Sequence, residues 1–207
     1  MYRGAEADLM LGRWSTDEAV YKIRKPLPYR LKELDDWIRT QRTIHEAQLM
    51  HRAKDAGVRT PFLYYVEPPS AMLVMEYIRG NRLTEEVASM TAAAVRETFR
   101  KVGRMTALLH LTGIVHGDLT TSNILVNDDE LVIIDFGLAI HSKRLEDHAV
   151  DLRLIKETLN GAHPALSTRA LESLLDGYGE LAGEKYLSAV RRQLHEIERR
   201  GRYARPE

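Results

Sequence analysis

The stretch from His116 to Gly137 constrains the fold more tightly than any other part of the chain. It contains an aspartate and an asparagine five residues apart, Asp118 and Asn123, and it ends in an Asp-Phe-Gly turn that starts at Asp135. Between them, two β-branched runs flank a polar turn, which predicts a β-hairpin. Because the loops before and after a hairpin meet at one end of it, we expect these three polar side chains to converge.

Such a cluster of oxygen-bearing side chains is typical of magnesium and phosphate chemistry. Magnesium binds oxygen ligands in near-octahedral geometry and keeps part of its coordination for substrate phosphates. We therefore predict Asn123 and Asp135 as metal ligands, and Asp118 as the catalytic residue that orients the attacking hydroxyl or water. The alternative is two unrelated loops, since His-Gly-Asp is a common turn and Asp-Phe-Gly can simply end a strand.

The composition excludes several other classes of site. The 207 residues include no cysteine, which excludes disulfides, thiolate zinc sites and cysteine nucleophiles. No apolar run approaches the length of a membrane span, and the N-terminus lacks the pattern of a signal peptide. We expect a soluble cytoplasmic protein with no membrane partner, folded as one large domain or as two small lobes. Its 30 basic and 30 acidic residues balance, so net charge says nothing about partners.

The N-terminal part contains weaker signals for phosphate binding. Gly4-Ala5-Glu6 occupies the place of a phosphate-binding loop, although a single glycine limits how closely its backbone amides can approach an anion. Lys22 lies in the alternating run 20–24, which predicts a half-buried strand. A lysine directed into a cleft can bind phosphate as a point charge. The alternative, which the strand pattern alone favours, is a solvated lysine.

Helical periodicity follows in two runs. The first contains Leu31, Leu34 and Trp37, and the second carries Glu46 beside an apolar stripe and ends before Gly57, a plausible helix terminator. Glu46 is the candidate partner of the strand lysine, because a helix carboxylate can present a lysine to phosphate. The alternative is a surface acid on an amphipathic helix.

A second hairpin is predicted by the runs 62–66 and 72–77, which flank a proline-rich turn. In a kinase-like fold the end of the second run would be the hinge, and backbone groups near Glu76 and Ile78 would contact the adenine edge. The alternative is an ordinary strand end.

A clear helix from 91 to 111, with Thr91 as its N-cap, leads into the His116 loop. We expect His116 to hold the loop by hydrogen bonds rather than to bind metal. For Asp151, near the start of the next helix, we expect a capping role, with bracing of the His116 backbone as the alternative. Only residues 138–207 follow Gly137, and they contain no Ala-Pro-Glu element, so the platform for a peptide substrate looks truncated.

The C-terminal segment 199–207 has a composition that cannot pack a core, and we expect it to be mobile. Arginine suits phosphate backbones, and a tyrosine among arginines can stack on a base, so the segment predicts contact with RNA. The alternative is a solvated charged tail. Its arginines are Arg199, Arg200, Arg202 and Arg205.

These motifs together resemble one family along essentially the whole chain, the small atypical kinase subunit of the KEOPS complex. The residues that carry the resemblance are Gly4-Ala5-Glu6-Ala7, Lys22-Ile23-Arg24-Lys25 with Tyr29-Arg30, Arg42-Thr43-Ile44-His45-Glu46-Ala47, His116-Gly117-Asp118-Leu119-Thr120-Thr121-Ser122-Asn123, Asp135-Phe136-Gly137-Leu138 and the basic tail. The resemblance implies an α+β, minimal two-lobed protein-kinase-like fold. It has a small β-rich N-lobe at 1–79, a reduced helical C-lobe at 80–198 and a basic flexible tail at 199–207.

The resemblance also implies ATP and magnesium as cofactors, and either Ser/Thr phosphorylation or ATP hydrolysis as the activity. Lys22 and Glu46 would orient the phosphates, Asp118 would be catalytic, and Asn123 and Asp135 would bind the metal. The implied partners are the tRNA threonylcarbamoyl-transferase subunit, another small KEOPS subunit, and tRNA bound through the arginine-rich tail.

Three alternatives are compared with this interpretation. RIO kinases share the His-Gly-Asp-Leu element, but they carry a winged-helix domain ahead of the kinase domain. Small-molecule phosphotransferases generally add a helical substrate region, for which the chain after Gly137 leaves little room. A nucleotide-gated scaffold that contacts tRNA and turns over little ATP would need the same nucleotide site and the same tail.

Overall fold

A five-stranded antiparallel sheet forms the N-terminal lobe, and across the sheet lie the first, second, third, fifth and fourth strands of the chain, in that order. The computed structural model describes residues 2–3, 6–128 and 130–203. The strands of this sheet are β1 (Tyr2–Arg3), β2 (Ala7–Trp14), β3 (Asp17–Arg24), β4 (Leu63–Glu67) and β5 (Met72–Glu76). The β4–β5 pair confirms the second predicted hairpin.

Helix α1 (Lys32–Asp55) packs against this sheet as one continuous helix, although its sequence contains two separate apolar runs. The first run stays at the surface, with Leu31 76% exposed and Trp37 62% exposed. Only the second run is buried, and it places Glu46 in the interior. Gly57, with a φ of +86°, follows the end of the helix as predicted.

The C-terminal lobe is mostly helical, so the two lobes together form the α+β arrangement that was predicted. Thr91 accepts a hydrogen bond from the Ala94 amide at 3.2 Å, which confirms it as an N-cap. The elements of this lobe are β6 (Asn81–Arg82), α2 (Leu83–Glu86), α3 (Ala92–Leu111), β7 (Ile114–Val115), β8 (Ile124–Asn127), β9 (Glu130–Ile133), β10 (Ile140–His141), α4 (Leu145–Ala162), α5 (Pro164–Ala182) and α6 (Glu184–Tyr203).

The predicted hairpin is present as β8 and β9, which pair antiparallel from Ile124 opposite Ile133 to the turn. The Ile134 amide also donates to the Asn123 carbonyl at 2.9 Å, so the pairing continues past the strand ends. The loops that carry Asn123 and Asp135 therefore lie side by side at one end of the hairpin.

Two glycines allow α3 and α5 to pack with their backbones in contact. A Cβ on Gly103 would lie 1.9 Å from the Leu174 carbonyl oxygen, and one on Gly177 would lie 2.0 Å from the Arg100 carbonyl oxygen. No side chain fits in that space without separating the helices. Because α3 leads directly into the loop at His116, this close packing fixes where that loop starts.

Helix α6 extends into the segment that was predicted to be a flexible tail from residue 199. The helix continues to Tyr203, and its apolar residues Leu187, Val190 and Leu194 are buried. The Arg200 guanidinium lies 3.3 Å from Glu146 on α4 and 3.6 Å from Glu196, which helps to hold the last turns. Arg205, at the end of the predicted tail, lies outside the described residues.

The helices of the described ranges differ from membrane-spanning helices in length or in composition. None of them combines sufficient length with sufficient apolar character to cross a bilayer.

We predict that Gly177→Ala lowers the free energy of unfolding by about 1–3 kcal/mol or more, because the methyl group must displace the α3 backbone. Denaturant unfolding would measure the change. Gly161→Ala is the matched control, since Gly161 lies in α4 with no atom within 4 Å of the added methyl group. We expect it to leave stability unchanged or raise it by about 0.4–1 kcal/mol. Equal effects of the two substitutions would contradict the packing argument.

Candidate nucleotide and metal site

The predicted pair of Lys22 and Glu46 is formed in the interior of the N-terminal lobe. The Lys22 Nζ lies 2.7 Å from Glu46 Oε1, and both side chains are buried. The two residues come from β3 and α1, so the sheet and the helix together position the lysine. Neither the solvated lysine nor the surface acid considered from the sequence is what the structure contains.

Lys22 also joins the two lobes, because its Nζ lies 2.7 Å from Asp135 Oδ1. Burial alone would lower the pKa of Lys22, but the Glu46 and Asp135 carboxylates outweigh burial and raise it. For Asp135, burial alone would raise the pKa, but the Lys22 charge and hydrogen bond and the Gly137 amide lower it. Both groups are therefore charged at neutral pH.

Asp118 and Asn123 are hydrogen-bonded to each other. The Asn123 Nδ2 donates to Asp118 Oδ2 at 2.8 Å and to the Asp118 carbonyl at 2.9 Å. The amide nitrogen is thus committed to Asp118, and the side-chain oxygen of Asn123 is the atom suited to bind a cation.

The Asp-Phe-Gly turn has a constrained geometry. Asp135 has a φ of +62°, a left-handed conformation that is uncommon for residues other than glycine and that recurs at functional sites. Phe136 is fully buried, with its ring edge-on to the His116 ring at 4.9 Å between centroids. The packing of Phe136 therefore holds Asp135 at the mouth of the cleft, towards Lys22.

His116 has the structural role that was predicted. Its Nδ1 accepts from the Asp118 amide at 3.3 Å, so its Nε2 carries the proton and donates to the Ile134 carbonyl at 3.1 Å. The ring thus ties the loop of Asp118 to the strand that leads to Asp135.

The preferred interpretation of Asp151 was wrong, and the alternative is correct. The residue lies well inside α4 and accepts from the His116 amide at 2.7 Å and the Gly117 amide at 2.8 Å. It braces the loop from below instead of capping a helix, because the fold brings α4 beneath that loop. Gly117 is required there, since its φ is +77° and a Cβ would lie 2.3 Å from the Leu138 carbonyl oxygen.

A buried polar network extends from Asp151 into the helices. Its carboxylate accepts from His110 Nε2 at 3.2 Å, which leaves His110 Nδ1 to accept from the Tyr178 hydroxyl at 2.9 Å. The His148 ring stacks on His110 at 4.3 Å, donates from Nε2 to the Ser142 carbonyl and accepts from the Tyr186 hydroxyl. In both rings, therefore, Nε2 is the donating nitrogen and Nδ1 the accepting one.

Five residues predicted to contact the nucleotide lie at the rim of the site or outside the described residues. The Glu76 carboxylate is bound to Arg59 at 2.6 Å and also accepts from the Phe62 amide, so only its backbone can face a base. Ile78 is buried beside it. The Glu6 carboxylate is bound to Arg42 at 2.8 Å, and Gly4 and Ala5 lie outside the described residues.

Arg24 is a buried residue of the site that sequence reasoning did not select. Its Nη2 lies 2.5 Å from Glu46 Oε2, so Glu46 has a second cationic partner. The signal was the period of the strand, because residues two apart on β3 share a face and Arg24 follows Lys22 by two. Strand periodicity alone does not show whether an arginine on this face is buried or exposed to solvent, so it could not identify Arg24 as a residue of the site.

Comparison with known proteins gives the family. A family model described as the protein kinase domain matches residues 13–158. The KEOPS complex subunit Bud32 of Pyrococcus abyssi is 39% identical, and the match covers 97% of this chain and 94% of that protein. The chain belongs to the Bud32 family of protein kinase domains.

A second relative is longer. A probable bifunctional tRNA threonylcarbamoyladenosine biosynthesis protein of Methanothermobacter thermautotrophicus is 39% identical over 97% of this chain, which spans 36% of that protein.

Solved structures support the fold alone. WaaP in complex with acyl carrier protein matches with a TM-score of 0.67 at 18% identity, covering 98% of this chain and 87% of that one. The Rio2 kinase of Chaetomium thermophilum, in complex with ADP, magnesium and phosphoaspartate, matches with a TM-score of 0.59 at 17% identity, covering 95% and 70%. These matches confirm the kinase-like architecture that was predicted.

We predict that His148 makes stability depend on pH. Burial and the neighbouring His110 ring lower the pKa of His148 below its usual 6.5, and the Ser142 carbonyl, Asp147 and Asp151 only partly oppose this. As the pH falls through 6.5, His148 takes up a proton in the unfolded chain, whereas in the folded protein it takes up this proton only at lower pH. The free energy of unfolding therefore falls by at most about 1.4 kcal/mol per pH unit from this group.

Denaturant unfolding at pH 7.5, 6.5 and 5.5 would test this. His148→Gln should show a flatter dependence than the wild type, whereas His51→Gln, which removes an exposed ring, should follow the wild type. Parallel curves for all three proteins would contradict a role for His148.

Proposed function

We propose that the protein is a magnesium-dependent atypical kinase and ATPase of the KEOPS type. The observation that carries this proposal is Lys22 bonded to both Glu46 and Asp135, with the Asp118–Asn123 pair on the adjoining loop. The proposal is supported by this arrangement, which combines a cation, two oxygen-bearing side chains suited to bind a metal and a further carboxylate.

The donor set fits a magnesium ion that also binds phosphate. Among the described residues no three His, Asp or Glu side chains are grouped to hold a metal by themselves. Asn123 and Asp135 offer two oxygens, which suits an ion that keeps several positions for phosphate and water. When bound, magnesium neutralises charge on the β- and γ-phosphates.

The protein side chains position the reacting groups. Lys22, presented by Glu46, binds phosphate oxygens, and Asp118 orients the attacking hydroxyl or water with its carboxylate fixed by Asn123. The adenine would lie against the hinge from Glu76 to Ile78. Within the described residues the Ile78 backbone has no hydrogen-bond partner, which supports its use by a base.

The short segment after Gly137 favours ATP hydrolysis over peptide phosphorylation. Helix α4 starts at Leu145, and the residues between include β10, which pairs with β7. Little chain is left to form a platform for a peptide. Of the hydroxyl residues on the catalytic loop, Thr121 is fully buried, so autophosphorylation would fall on Thr120 or Ser122.

The names of the relatives support a role for this activity in tRNA modification. We infer that the ATPase supports threonylcarbamoyl adenosine formation in the cytoplasm. Its partners would be the tRNA threonylcarbamoyl-transferase subunit and another small KEOPS subunit. In the longer relative the matched region is 36% of a protein named as probably bifunctional, which agrees with a kinase-like part that works beside a second activity.

The surface of α6 favours a second role, as a tRNA-binding module. A shallow groove along this helix is lined by three arginines, one histidine and one glutamate: Arg191, Arg192, Arg199, His195 and Glu196. Arg202, a further arginine of the segment predicted to contact RNA, follows Arg199 by three residues in the sequence. Arg200 points to Glu146 instead and is better explained as a structural residue.

We predict that Asp135→Ala lowers the rate of magnesium-ATP hydrolysis at least about a hundredfold, since it removes a metal ligand and a partner of Lys22. Release of labelled γ-phosphate, measured with and without the partner subunit and tRNA, would show this. Asp55→Ala is the matched control, because Asp55 is exposed at the end of α1. Hydrolysis by Asp135→Ala at the wild-type rate would exclude the proposed site, and label retained on protein side chains would identify a protein kinase.

We also predict that replacing Arg199 and Arg202 by glutamine weakens tRNA binding without changing nucleotide affinity. If both contact phosphates, the slope of log affinity against log salt should decrease by about 1.4–1.8, at roughly 0.7–0.9 per contact. The control replaces the exposed Arg13 and Arg52 of the N-terminal lobe. Unchanged tRNA affinity at low salt would exclude this surface.

A further inference from the structure

Glu46 is held by two buried cations that come from the same face of β3. The Lys22 Nζ bonds to Oε1 at 2.7 Å, and the Arg24 Nη2 bonds to Oε2 at 2.5 Å. The Glu46 side chain is 1% exposed and that of Arg24 is 5% exposed. Both oxygens of one interior carboxylate are therefore used, one by each cation.

The two cations differ in what else they contact. Lys22 is shared with Asp135, a residue proposed to bind metal, and it is also the residue proposed to bind phosphate. Arg24 has Glu46 as its carboxylate partner and does not touch Asp135 at bonding distance among the described contacts. The contact between Arg24 and Glu46 uses a different carboxylate oxygen from the one that Lys22 contacts, so it does not depend on Lys22.

The backbone holds Arg24 in a defined place. Its amide donates to the Ala71 carbonyl at 3.1 Å, and its carbonyl accepts from Arg39 at 3.4 Å. In the strand register it lies opposite Ala7, the first residue of β2 after the predicted phosphate loop.

The guanidinium of Arg24 also approaches the Asp-Phe-Gly turn. A Cβ on Gly137 would lie 3.4 Å from Arg24 Nη2 and 3.5 Å from Lys22 Nζ. The glycine thus lets the turn pack directly against both cations, with the Asp135 carboxylate beside them.

We propose that Arg24 is a positioning residue that keeps Glu46, and with it α1, directed at the phosphate site whether or not Lys22 is bound to it. The role of Lys22 in this statement rests on the proposed function. The consequence is that the lysine–glutamate pair is assembled before nucleotide arrives and needs no separate activating event. Arg24 acts through Glu46 and Lys22, not by contact with the nucleotide.

A double-mutant cycle in the full chain tests this, with the dissociation constant of magnesium-ATP as the first readout. Arg24→Gln should weaken binding on the order of tenfold in the wild-type background and have no further effect in Lys22→Met, because the two residues act as a unit. Arg24→Lys should recover most of the affinity, since it restores a positive charge beside the Glu46 carboxylate. Arg13→Gln, on the neighbouring strand β2, is the control for loss of an exposed arginine. An equal effect of Arg24→Gln in both backgrounds would overturn the positioning role.

Hydrogen exchange without nucleotide separates this inference from the proposed function. The α1 amides at 43–50 should keep their protection in Lys22→Met, lose protection in Arg24→Gln and regain it in Arg24→Lys. If the wild type neither binds nor hydrolyses ATP, the proposed function fails, and exchange still decides the role of Arg24. Unchanged protection in Arg24→Gln would overturn it, whatever the nucleotide measurements give.

Discussion

The buried carboxylate of Asp151 is the interaction on which the catalytic end of the C-terminal lobe depends. A carboxylate removed from water is tolerated only where donors surround it. Here the donors are two backbone amides of the loop, at His116 and Gly117, and the His110 ring. Satisfying one buried group therefore sets the path of the loop and, through it, the places of Asp118 and Asn123.

A second constraint acts in the N-terminal lobe, and the two meet at Asp135. The glutamate of α1 gathers two cations from β3, and one of these reaches across to the Asp-Phe-Gly turn. Phe136 belongs to the continuous apolar core, while Asp135 contacts the ion-pair cluster. Adjacent residues of the turn thus belong to the apolar core and to the ion-pair cluster, and these contacts hold Asp135 in its left-handed conformation.

Local patterns predicted much of the fold and part of the site. The β8–β9 hairpin followed from two β-branched runs around a polar turn. Pairing of the two strands then places the loop of Asn123 next to the loop of Asp135. To predict the Lys22–Glu46 pair, it was enough to recognise a strand, a helix and the motif of residues 116–137. The roles of Gly4 and Ala5 are not tested, because these residues lie outside the described ranges.

What sequence reasoning missed depends on contacts between distant segments. Whether Asp151 caps its helix or braces a loop is decided by which loop lies above α4, and no local pattern contains that information. The exposed start of α1 and the helical residues from Arg199 to Tyr203 have the same explanation. Periodicity shows that a helix can form, but the neighbouring helices and ion pairs determine which face is buried and where the helix stops.

The charge balance around Glu46 also limits which single substitutions the protein tolerates at these charged positions. Lys22 and Arg24 offset Glu46 and Asp135, so losing any one of the four leaves an uncompensated charge beside the interior. Neutral substitution of a single member is therefore disfavoured even in a gene copy released from selection for turnover. In homologues that no longer turn over ATP, we expect these four charged residues to be replaced together. A homologue that keeps all four keeps the charge balance of an active ancestor, whether or not it is active itself.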